Sequence, residues 1–258
     1  MPGRSWREWL EAALQMVFPP RCAVCDALLA PEEIEKGIHA ACREKLTFVG
    51  ECYCMHCGRP LEREGQEYCS DCQKGIAGQN FPDRRQNIFS WIEQGRGVFE
   101  YRGALKKTMY RFKYSNRREY ARFLRQAACE RWGDWMLASG VEAVVPVPMY
   151  RGKERRRGYN QAALLAKALA VQMGVVYLPN IVARTRDTRP LKELNDKERK
   201  NILKNAFQIT KNSVQYKRVL LVDDIYTTGS TAEAVASQLR LAGVEKVYFL
   251  AACIGRGF

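Results

Sequence analysis

The chain contains 258 residues, of which 47% are hydrophobic, and it carries a formal net charge of +14. No apolar run approaches the roughly 18 residues that a membrane-spanning helix requires, so we expect no membrane insertion. The basic excess favours anionic partners that carry phosphate, either a small polyphosphate or a strand of nucleic acid. The length suits a small module joined to one larger domain, and three parts are predicted at 1–20, 21–80 and 81–258.

Residues 1–20 are predicted to form an amphipathic helix. Apolar side chains recur at helical spacing from Trp6 to Val17, and three charged residues interrupt the apolar stretch. A secretory signal peptide requires an apolar core without charges, so we expect this helix to pack against the protein's own surface. The expected compartment is the cytoplasm, where the ten cysteines would stay reduced.

Four pairs of candidate metal ligands, each with two residues between its members, mark residues 21–80. One pair can offer two ligands from a single tight turn, and two such turns complete a tetrahedral zinc site. The pairs therefore predict two structural zinc ions, which would supply much of the folding free energy of a segment with little continuous apolar sequence. Reduced structural cysteines are the alternative, but these do not fall into four spaced pairs at random. The predicted ligands are Cys22, Cys25, His39, Cys42, Cys54, Cys57, Cys69 and Cys72.

The sequence leaves the grouping of these ligands open. Sequential pairing would put the first four ligands in one site and the last four in the other, whereas interleaved pairing would mix them. His39 is the weakest assignment, because another residue could complete the first site. Zinc ribbons bind nucleic acid, bind protein or only stabilise a fold, and the scattered cations near the second site do not choose between these functions.

Residues 88–101 are predicted to form a hairpin of two short strands, and the basic stretch at 106–122 interleaves cations with aromatic residues. Nucleic-acid bases could stack on such aromatic residues while the cations hold the backbone, a combination suited to single-stranded DNA. An amphipathic helix with aromatic residues in the core and cations in solvent explains the same pattern and is favoured for most of these residues. Lys113, within this stretch, is a candidate contact for a polyphosphate.

A buried strand predicted at 141–148 leads into a loop with five cations, and a helix is predicted from 162 to 173. The strand, the basic loop and the helix together can bind a polyanion such as pyrophosphate, since arginine makes bidentate contacts with phosphate. A solvated run of charge is the alternative, although five neighbouring cations repel one another without an anion. The cations are Arg151, Lys153, Arg155, Arg156 and Arg157.

Further strands are predicted at 175–178, 217–224 and 246–254, and with 141–148 they form a parallel sheet with helical crossovers. Ligands of such α/β sheets bind at the carboxyl ends of the strands, which is where the basic loop lies. The charged insertion at 184–207 is predicted to be either a mobile lid over this edge or a surface loop.

The stretch 219–231 has the strongest functional pattern in the chain. Four apolar residues lead directly into Asp223 and Asp224, and a polar loop then precedes a helix predicted at 232–241. Free backbone N–H groups, the helix dipole and the loop hydroxyls can bind a phosphate, while the acids require sugar hydroxyls or Mg2+ as partners. The pattern therefore predicts a phosphorylated sugar as ligand. The loop residues are Thr227, Thr228, Gly229, Ser230 and Thr231.

This stretch resembles the phosphoribosyl-pyrophosphate (PRPP) signature of the type I phosphoribosyltransferase family. The resemblance implies a type I phosphoribosyltransferase-like fold for residues 81–258, with the ribose hydroxyls on Asp223 and Asp224 and the 5′-phosphate on residues 227–231. In a Mg2+-dependent phosphoribosyl transfer, the predicted catalytic residues are these two acids and Arg157. The residues predicted to bind the pyrophosphate or polyphosphate are Lys113, Arg155 and Arg157.

The ligand pairs, the segments at 157–161 and 199–207 and the PRPP-like stretch together resemble the ComF family of competence proteins. The resemblance covers nearly the whole chain. It implies a cytoplasmic protein of natural transformation that acts on incoming single-stranded DNA, with a competence helicase or other uptake proteins as partners. The chain has Pro190 and Leu191 where the family pattern commonly has a glutamine, and this departure weakens the case for substrate contact by the insertion.

Three functions follow from these patterns. The first is enzymatic transfer of phosphoribose to an acceptor. The second is a non-catalytic adaptor that binds single-stranded DNA and partner proteins and uses PRPP at most as a regulator. The third is recruitment of a helicase-like partner through the zinc ribbon.

Overall fold

The structure is a computed structural model that describes Trp6 and residues 19–77, 90–186, 206–210 and 215–255. Apart from Trp6 and residues 19 and 20, the predicted N-terminal helix lies outside the described residues, as do the predicted boundary at residue 80 and most of the charged insertion. All ten cysteines lie within the described residues, and none forms a disulfide.

The strands and helices have the following bounds. The strands are β1 (Gln94–Glu100), β2 (Ala143–Pro146), β3 (Val176–Tyr177), β4 (Val182–Arg184), β5 (Phe207–Ile209), β6 (Arg218–Tyr226) and β7 (Lys246–Ile254). The helices are α1 (Ala40–Arg43), α2 (Ser70–Ala77), α3 (Ala104–Tyr114), α4 (Tyr120–Ala138), α5 (Arg151–Arg157), α6 (Gln161–Met173) and α7 (Ser230–Leu241).

A parallel sheet with strand order β1-β7-β6-β2-β3 forms the centre of the molecule, and β4 and β5 form a separate antiparallel pair. β6 lies in the middle of the sheet because its apolar residues can be buried on both faces. Val219 and Leu221 belong to the core on one face, Leu220 and Val222 to the core on the other, and all four are fully buried. The predicted parallel sheet flanked by helices is confirmed.

Two local predictions are wrong. β1 does not fold back into a hairpin but pairs in parallel with β7, with Gln94 opposite Tyr248 and Glu100 opposite Ile254. The basic loop after β2 is the helix α5, which ends at Gly158 in a left-handed conformation with a φ of 82°. Arginine and lysine are good helix formers, so a run of them between two glycines can form a helical turn or two despite its charge.

The cysteine-rich segment covers the sheet edge that β1 would otherwise expose. The N–H of Val49 donates to the carbonyl of Val98 at 3.0 Å, and the N–H of Gly95 donates to the carbonyl of His56 at 2.6 Å. An uncovered edge strand is a template for association with other chains. These backbone hydrogen bonds therefore protect the sheet and fix the position of the cysteine-rich segment on it.

Each face of the sheet has its own core, and each core contains cysteines from the N-terminal segment. Helices α3, α4 and α6 cover one face together with Cys22 and Cys42. Helix α7 covers the other face together with the four cysteines from Cys54 to Cys72. The N-terminal segment is therefore part of both cores.

Candidate functional site

The first zinc cluster consists of Cys22, Cys25, His39 and Cys42, whose ligand atoms lie within 4.8 Å of one another. Nδ1 of His39 is 3.3 Å from the Cys25 sulfur and 3.8 Å from the Cys42 sulfur. A tetrahedral zinc ion would place such atoms about 3.6 Å apart, so the cluster fits zinc. Nε2 of His39 lies 3.0 Å from the carbonyl of Leu28. A zinc-bound histidine typically donates its other ring N–H to such an acceptor.

The second zinc cluster consists of Cys54, Cys57, Cys69 and Cys72, and all four are buried. The sulfur atoms of Cys57 and Cys69 are 3.7 Å apart, close to the roughly 3.8 Å expected for two thiolates on one tetrahedral zinc ion. The structure thus favours sequential grouping of the predicted ligands over interleaved grouping. The donor sets and their spacing are consistent with two structural zinc sites.

The paired acids lie near the end of β6, which continues through them to Tyr226 instead of ending at residue 224. Lys113, from α3, reaches across to them and places its Nζ 2.7 Å from Oδ2 of Asp224. The N–H of Asp224 donates to Oδ1 of Asp223 at 2.8 Å, which orients the first acid against the strand. The side chains of Lys113 and Asp224 are 19% and 15% exposed, so a ligand can still reach the ion pair.

Burial and the Lys113 charge make the two carboxyl groups chemically different. Burial raises the pKa of Asp223 well above its ordinary value, and the neighbouring Asp224 charge raises it further. Burial also acts to raise the pKa of Asp224, but the Lys113 ammonium more than offsets this and leaves that pKa below its ordinary value. The site therefore holds one ionised acid, one cation and a second acid whose charge is unfavourable without a further donor or cation.

The polar loop after β6 turns at Gly229, which has a φ of 81° and precedes the first residue of α7. A Cβ at this position would lie 2.4 Å from the Tyr226 hydroxyl, so a larger residue would displace that side chain. Thr227 and Thr228 are exposed, and the hydroxyls of Thr228 and Ser230 are 3.0 Å apart. The loop hydroxyls and the free N–H groups at the start of α7 form a cradle that can bind a phosphate.

The structure brings one of the two predicted pyrophosphate-binding arginines towards the acids. Arg157 donates to the Tyr114 hydroxyl at 3.0 Å and to Oε1 of Gln161 at 3.2 Å. Burial acts to lower the pKa of Lys113, but the Asp224 carboxylate more than offsets this, and the pKa is raised overall. The positive charge of Arg157 acts in the opposite direction to Asp224 and lowers the pKa of Lys113. Arg155 lies two residues earlier on α5, about 200° around the helix axis, and is exposed.

Two residues that the sequence analysis did not assign to the site anchor the polar loop and the helix that follows it. Arg59, two residues after Cys57, donates from Nη2 to the carbonyl of Thr227 at 2.7 Å. Glu233, in the first turn of α7, accepts hydrogen bonds from the Ser90 hydroxyl and, at 2.9 Å, from the Trp91 N–H. Arg59 and Thr227 are 168 positions apart, so no local pattern could have revealed this contact.

The aromatic residues of the basic stretch divide between the core and the surface. Phe112 and Tyr120 are fully buried, as an amphipathic helix predicts, whereas Tyr110 and Tyr114 are 63% and 59% exposed. The rings of the exposed pair lie 5.0 Å apart, and the Arg157 guanidinium lies 4.8 Å from the centre of the Tyr114 ring. An exposed aromatic pair of this kind is suited to stacking with a planar ligand.

Comparison with known proteins identifies relatives along most of the chain. Residues 13–73 match the family model of the double zinc ribbon domain. Competence protein F of Haemophilus influenzae is 34% identical over 236 residues, which cover 89% of this chain and 95% of that protein. DNA utilization protein YhgH of Salmonella typhimurium is 28% identical and competence protein ComFC of Bacillus subtilis 26% identical. Those alignments cover 84% and 83% of this chain and 96% and 86% of the respective relatives.

The family-model match and the two ligand clusters together confirm the predicted N-terminal zinc-ribbon module. Solved structures show a more distant similarity. Adenine phosphoribosyltransferase of Saccharomyces cerevisiae is 17% identical, with 72% of this chain and 89% of that chain covered at a TM-score of 0.38. In the part of the chain that the structure describes, the helices are too short or too polar to cross a membrane.

Proposed function

The chain belongs to the ComF family of competence proteins, and from this membership we propose that it binds PRPP with Mg2+ and acts in DNA uptake during natural transformation. The observation that carries PRPP binding is the meeting, at one edge of the sheet, of the Lys113–Asp224 ion pair and the phosphate cradle at 227–231. The relatives that are named competence and DNA utilization proteins support the role with DNA. We place this activity in the cytoplasm, where cysteines remain outside disulfides.

The acids and the loop divide the ligand between them in this proposal. Asp223 and Asp224 accept hydrogen bonds from the ribose 2′ and 3′ hydroxyls, which offsets the cost of ionising the buried Asp223. Backbone N–H groups and hydroxyls of residues 227–231 bind the 5′-phosphate, helped by the dipole of α7. The ribose thus contacts the paired acids, and its phosphate contacts the polar loop that follows them in the chain.

In this proposal the cationic side chains of the site bind the pyrophosphate group of PRPP. Lys113 exchanges its contact with Asp224 for a phosphate oxygen, and Arg157 turns its guanidinium from Gln161 to a second one. Arg155, exposed on α5, adds positive charge two residues before Arg157. Mg2+, when bound with PRPP, would supply further neutralisation of the pyrophosphate charge.

A phosphoribosyl transfer at this site needs no nucleophile from the protein. The bond between C1′ and the pyrophosphate oxygen breaks, pyrophosphate leaves with the electron pair, and an acceptor atom donates the pair for the new bond at C1′. The protein contributes by positioning the ribose through Asp223 and Asp224 and by stabilising the leaving group through Arg157. The carboxylates also stabilise positive charge that develops on the ribose ring.

Calorimetric titration of PRPP, with and without Mg2+, tests the proposal. Wild-type protein should bind PRPP in a Mg2+-dependent manner. The Asp223→Asn, Asp224→Asn double variant should bind at least about 100-fold more weakly, because two charged hydrogen-bond acceptors are lost. Asp134→Asn, at an exposed position on α4, is the matched control and should bind like the wild type. Absence of binding in the wild type would reject the proposal, as would unchanged affinity in the double variant.

We propose a second function, binding of single-stranded DNA, on the evidence of the exposed Tyr110–Tyr114 pair. Bases can stack on these rings, and the exposed cations Lys106 and Lys107 on the same helix can contact the strand's phosphates. The pair lies beside Arg157, so a bound strand would pass close to the proposed PRPP site. Such binding would serve an uptake adaptor whether or not the protein transfers phosphoribose.

Titration of a fluorescent thymidine oligonucleotide at increasing salt concentration tests this second function. Affinity should fall steeply with salt, and each of Tyr110→Ala and Tyr114→Ala should weaken binding about ten-fold. Leu241→Ala removes an exposed apolar side chain at the end of α7 and is the control. A flat salt dependence, or equal affinities for all variants, would contradict the assignment.

A further inference from the structure

Arg59 links the second zinc cluster to the polar loop of the proposed PRPP site. Its side chain is 5% exposed and donates from Nη1 to Oδ2 of Asp71 at 2.5 Å and from Nη2 to the carbonyl of Thr227 at 2.7 Å. Its guanidinium also lies 5.8 Å from the centre of the Tyr226 ring. One buried side chain thus contacts the zinc ribbon and both the strand end and the loop that follow the paired acids.

The zinc-ribbon end of this link is held rigidly. Arg59 follows Cys57 by two residues, and Asp71 lies between Cys69 and Cys72, so zinc at the second cluster would fix the backbone on both sides of the ion pair. Gly58 has a φ of 74°, and a Cβ there would lie 2.6 Å from the carbonyl oxygen of Gly95 on β1. The backbone that carries Arg59 is therefore pressed against the sheet and cannot shift without disturbing it.

The hydrogen bond to Thr227 sets the direction of a backbone donor. In a trans peptide the carbonyl and the following N–H point in opposite directions, and the described residues contain no cis peptide bond. When Arg59 holds the Thr227 carbonyl towards the zinc ribbon, the N–H of Thr228 must point away from the ribbon. That orientation suits the Thr228 N–H to serve as one donor of the proposed phosphate cradle.

We infer that Arg59 is a positioning residue through which the second zinc site and the phosphate cradle stabilise each other. The inference rests on the proposed function, since it names what sets the affinity of that site for the 5′-phosphate of PRPP. Coupling between two binding sites is reciprocal. Zinc at the second cluster should therefore raise the affinity for PRPP, and bound PRPP should slow the loss of zinc.

The first experiment compares Arg59→Gln with Arg63→Gln, an exposed arginine of the same ribbon, by zinc content and by PRPP calorimetry. Arg59→Gln should retain two zinc ions and bind PRPP about ten-fold more weakly, because one charged hydrogen bond to the loop is lost. Arg63→Gln should match the wild type. If the wild type itself binds no PRPP, the proposed function fails; if the wild type binds and Arg59→Gln binds equally well, only the inference about Arg59 is overturned.

The second experiment needs no variant of Arg59. It tests the coupling between the second zinc site and the phosphate cradle even if Arg59→Gln loses zinc or does not fold. Zinc release from wild-type protein to a chromogenic chelator is followed with and without PRPP. The Asp223→Asn, Asp224→Asn double variant corrects for zinc that PRPP itself withdraws. PRPP should slow one phase of zinc release in the wild type and none in the double variant. Equal release rates with and without PRPP in the wild type would overturn the inference.

Discussion

The two zinc clusters have similar ligands but serve different parts of the molecule. The first cluster has an exposed ligand, Cys25, and packs beside α3 and α4, where Asp26 accepts hydrogen bonds from Arg117 and Tyr120 at 2.7 Å each. The second cluster is fully buried and reaches the phosphate cradle through Arg59. Both clusters suit one structural zinc ion each, but the first includes a histidine and the second contains only cysteines. We propose that the residues around each cluster decide whether its loss disturbs only the fold or also the ligand site.

This contrast gives each cluster a distinct experimental signature. Damage at the first cluster should lower the free energy of unfolding while the affinity for PRPP changes little. Damage at the second cluster should lower both. Variants that alter one link at a time can therefore test whether the two effects separate.

Removal of one ligand from each cluster should have the largest effect. Cys57→Ser should lose one zinc ion, destabilise the protein by about 3 kcal/mol or more and abolish PRPP binding, because zinc supplies folding free energy to the core behind the loop. Cys25→Ser should also lose one zinc ion but bind PRPP within about three-fold of the wild type. Zinc analysis, urea unfolding and calorimetry measure these effects. Equal losses of PRPP affinity in the two variants would end the distinction between the clusters.

The second-largest effect should come from replacing Gly229 by alanine, compared with the same replacement of a glycine with nearly the same backbone conformation. Gly229 has a φ of 81° and Gly65, in the second ribbon, a φ of 82°, but only Gly229 has an atom within 4 Å of where a Cβ would lie. Gly65→Ala should cost about 1 kcal/mol of stability from the left-handed conformation alone. Gly229→Ala should cost more, because the Tyr226 hydroxyl must move, and should weaken PRPP binding at least about ten-fold.

Calorimetry and urea unfolding of the two alanine variants separate the dihedral cost from the contact with Tyr226. Gly65→Ala is the control, because it strains the backbone of the zinc ribbon without changing the phosphate cradle, and its affinity for PRPP should equal that of the wild type. If both variants lost affinity to the same extent, general strain in the ribbon would explain the loss better than the local geometry of the cradle.

A moderate effect should follow from loosening the first cluster. Asp26 has a φ of 65°, a conformation that asparagine tolerates, so Asp26→Asn removes the charge without adding backbone strain. The variant should be destabilised by about 2 kcal/mol, because charged hydrogen bonds to Arg117 and Tyr120 are lost. Its affinity for PRPP should not change. A large loss of affinity in calorimetry would show that the first cluster also controls the ligand site.

The smallest effect should come from the outer half of the Arg59 link. The Asp71 side chain is 62% exposed, so Asp71→Asn removes an ion pair that solvent already screens. The expected cost is less than about 1 kcal/mol, with PRPP affinity lowered by only about two-fold. A larger loss of affinity than in Arg59→Gln would mean that Asp71, rather than the bond from Arg59 to Thr227, fixes the loop.

Local patterns in the sequence determined much of this architecture. The spacing of the zinc ligands is local, because each pair of ligands comes from one tight turn. β7 has the bounds predicted from its apolar run, Lys246–Ile254, since a strand buried on both faces needs an unbroken apolar sequence. The helix predicted after the polar loop ends at the predicted residue, Leu241, and begins two residues early at Ser230. In each case consecutive residues carry the whole physical signal.

Tertiary structure alone decided which of these elements meet. The pairing of β1 with β7, the Lys113–Asp224 ion pair and the bond from Arg59 to Thr227 all join residues that are far apart in the chain. Arg59 follows a glycine and Arg155 lies among other cations, and neither sequence context shows whether the arginine is buried or exposed. Packing buries one against the phosphate cradle and leaves the other in solvent, because burial depends on which surfaces the folded chain brings together.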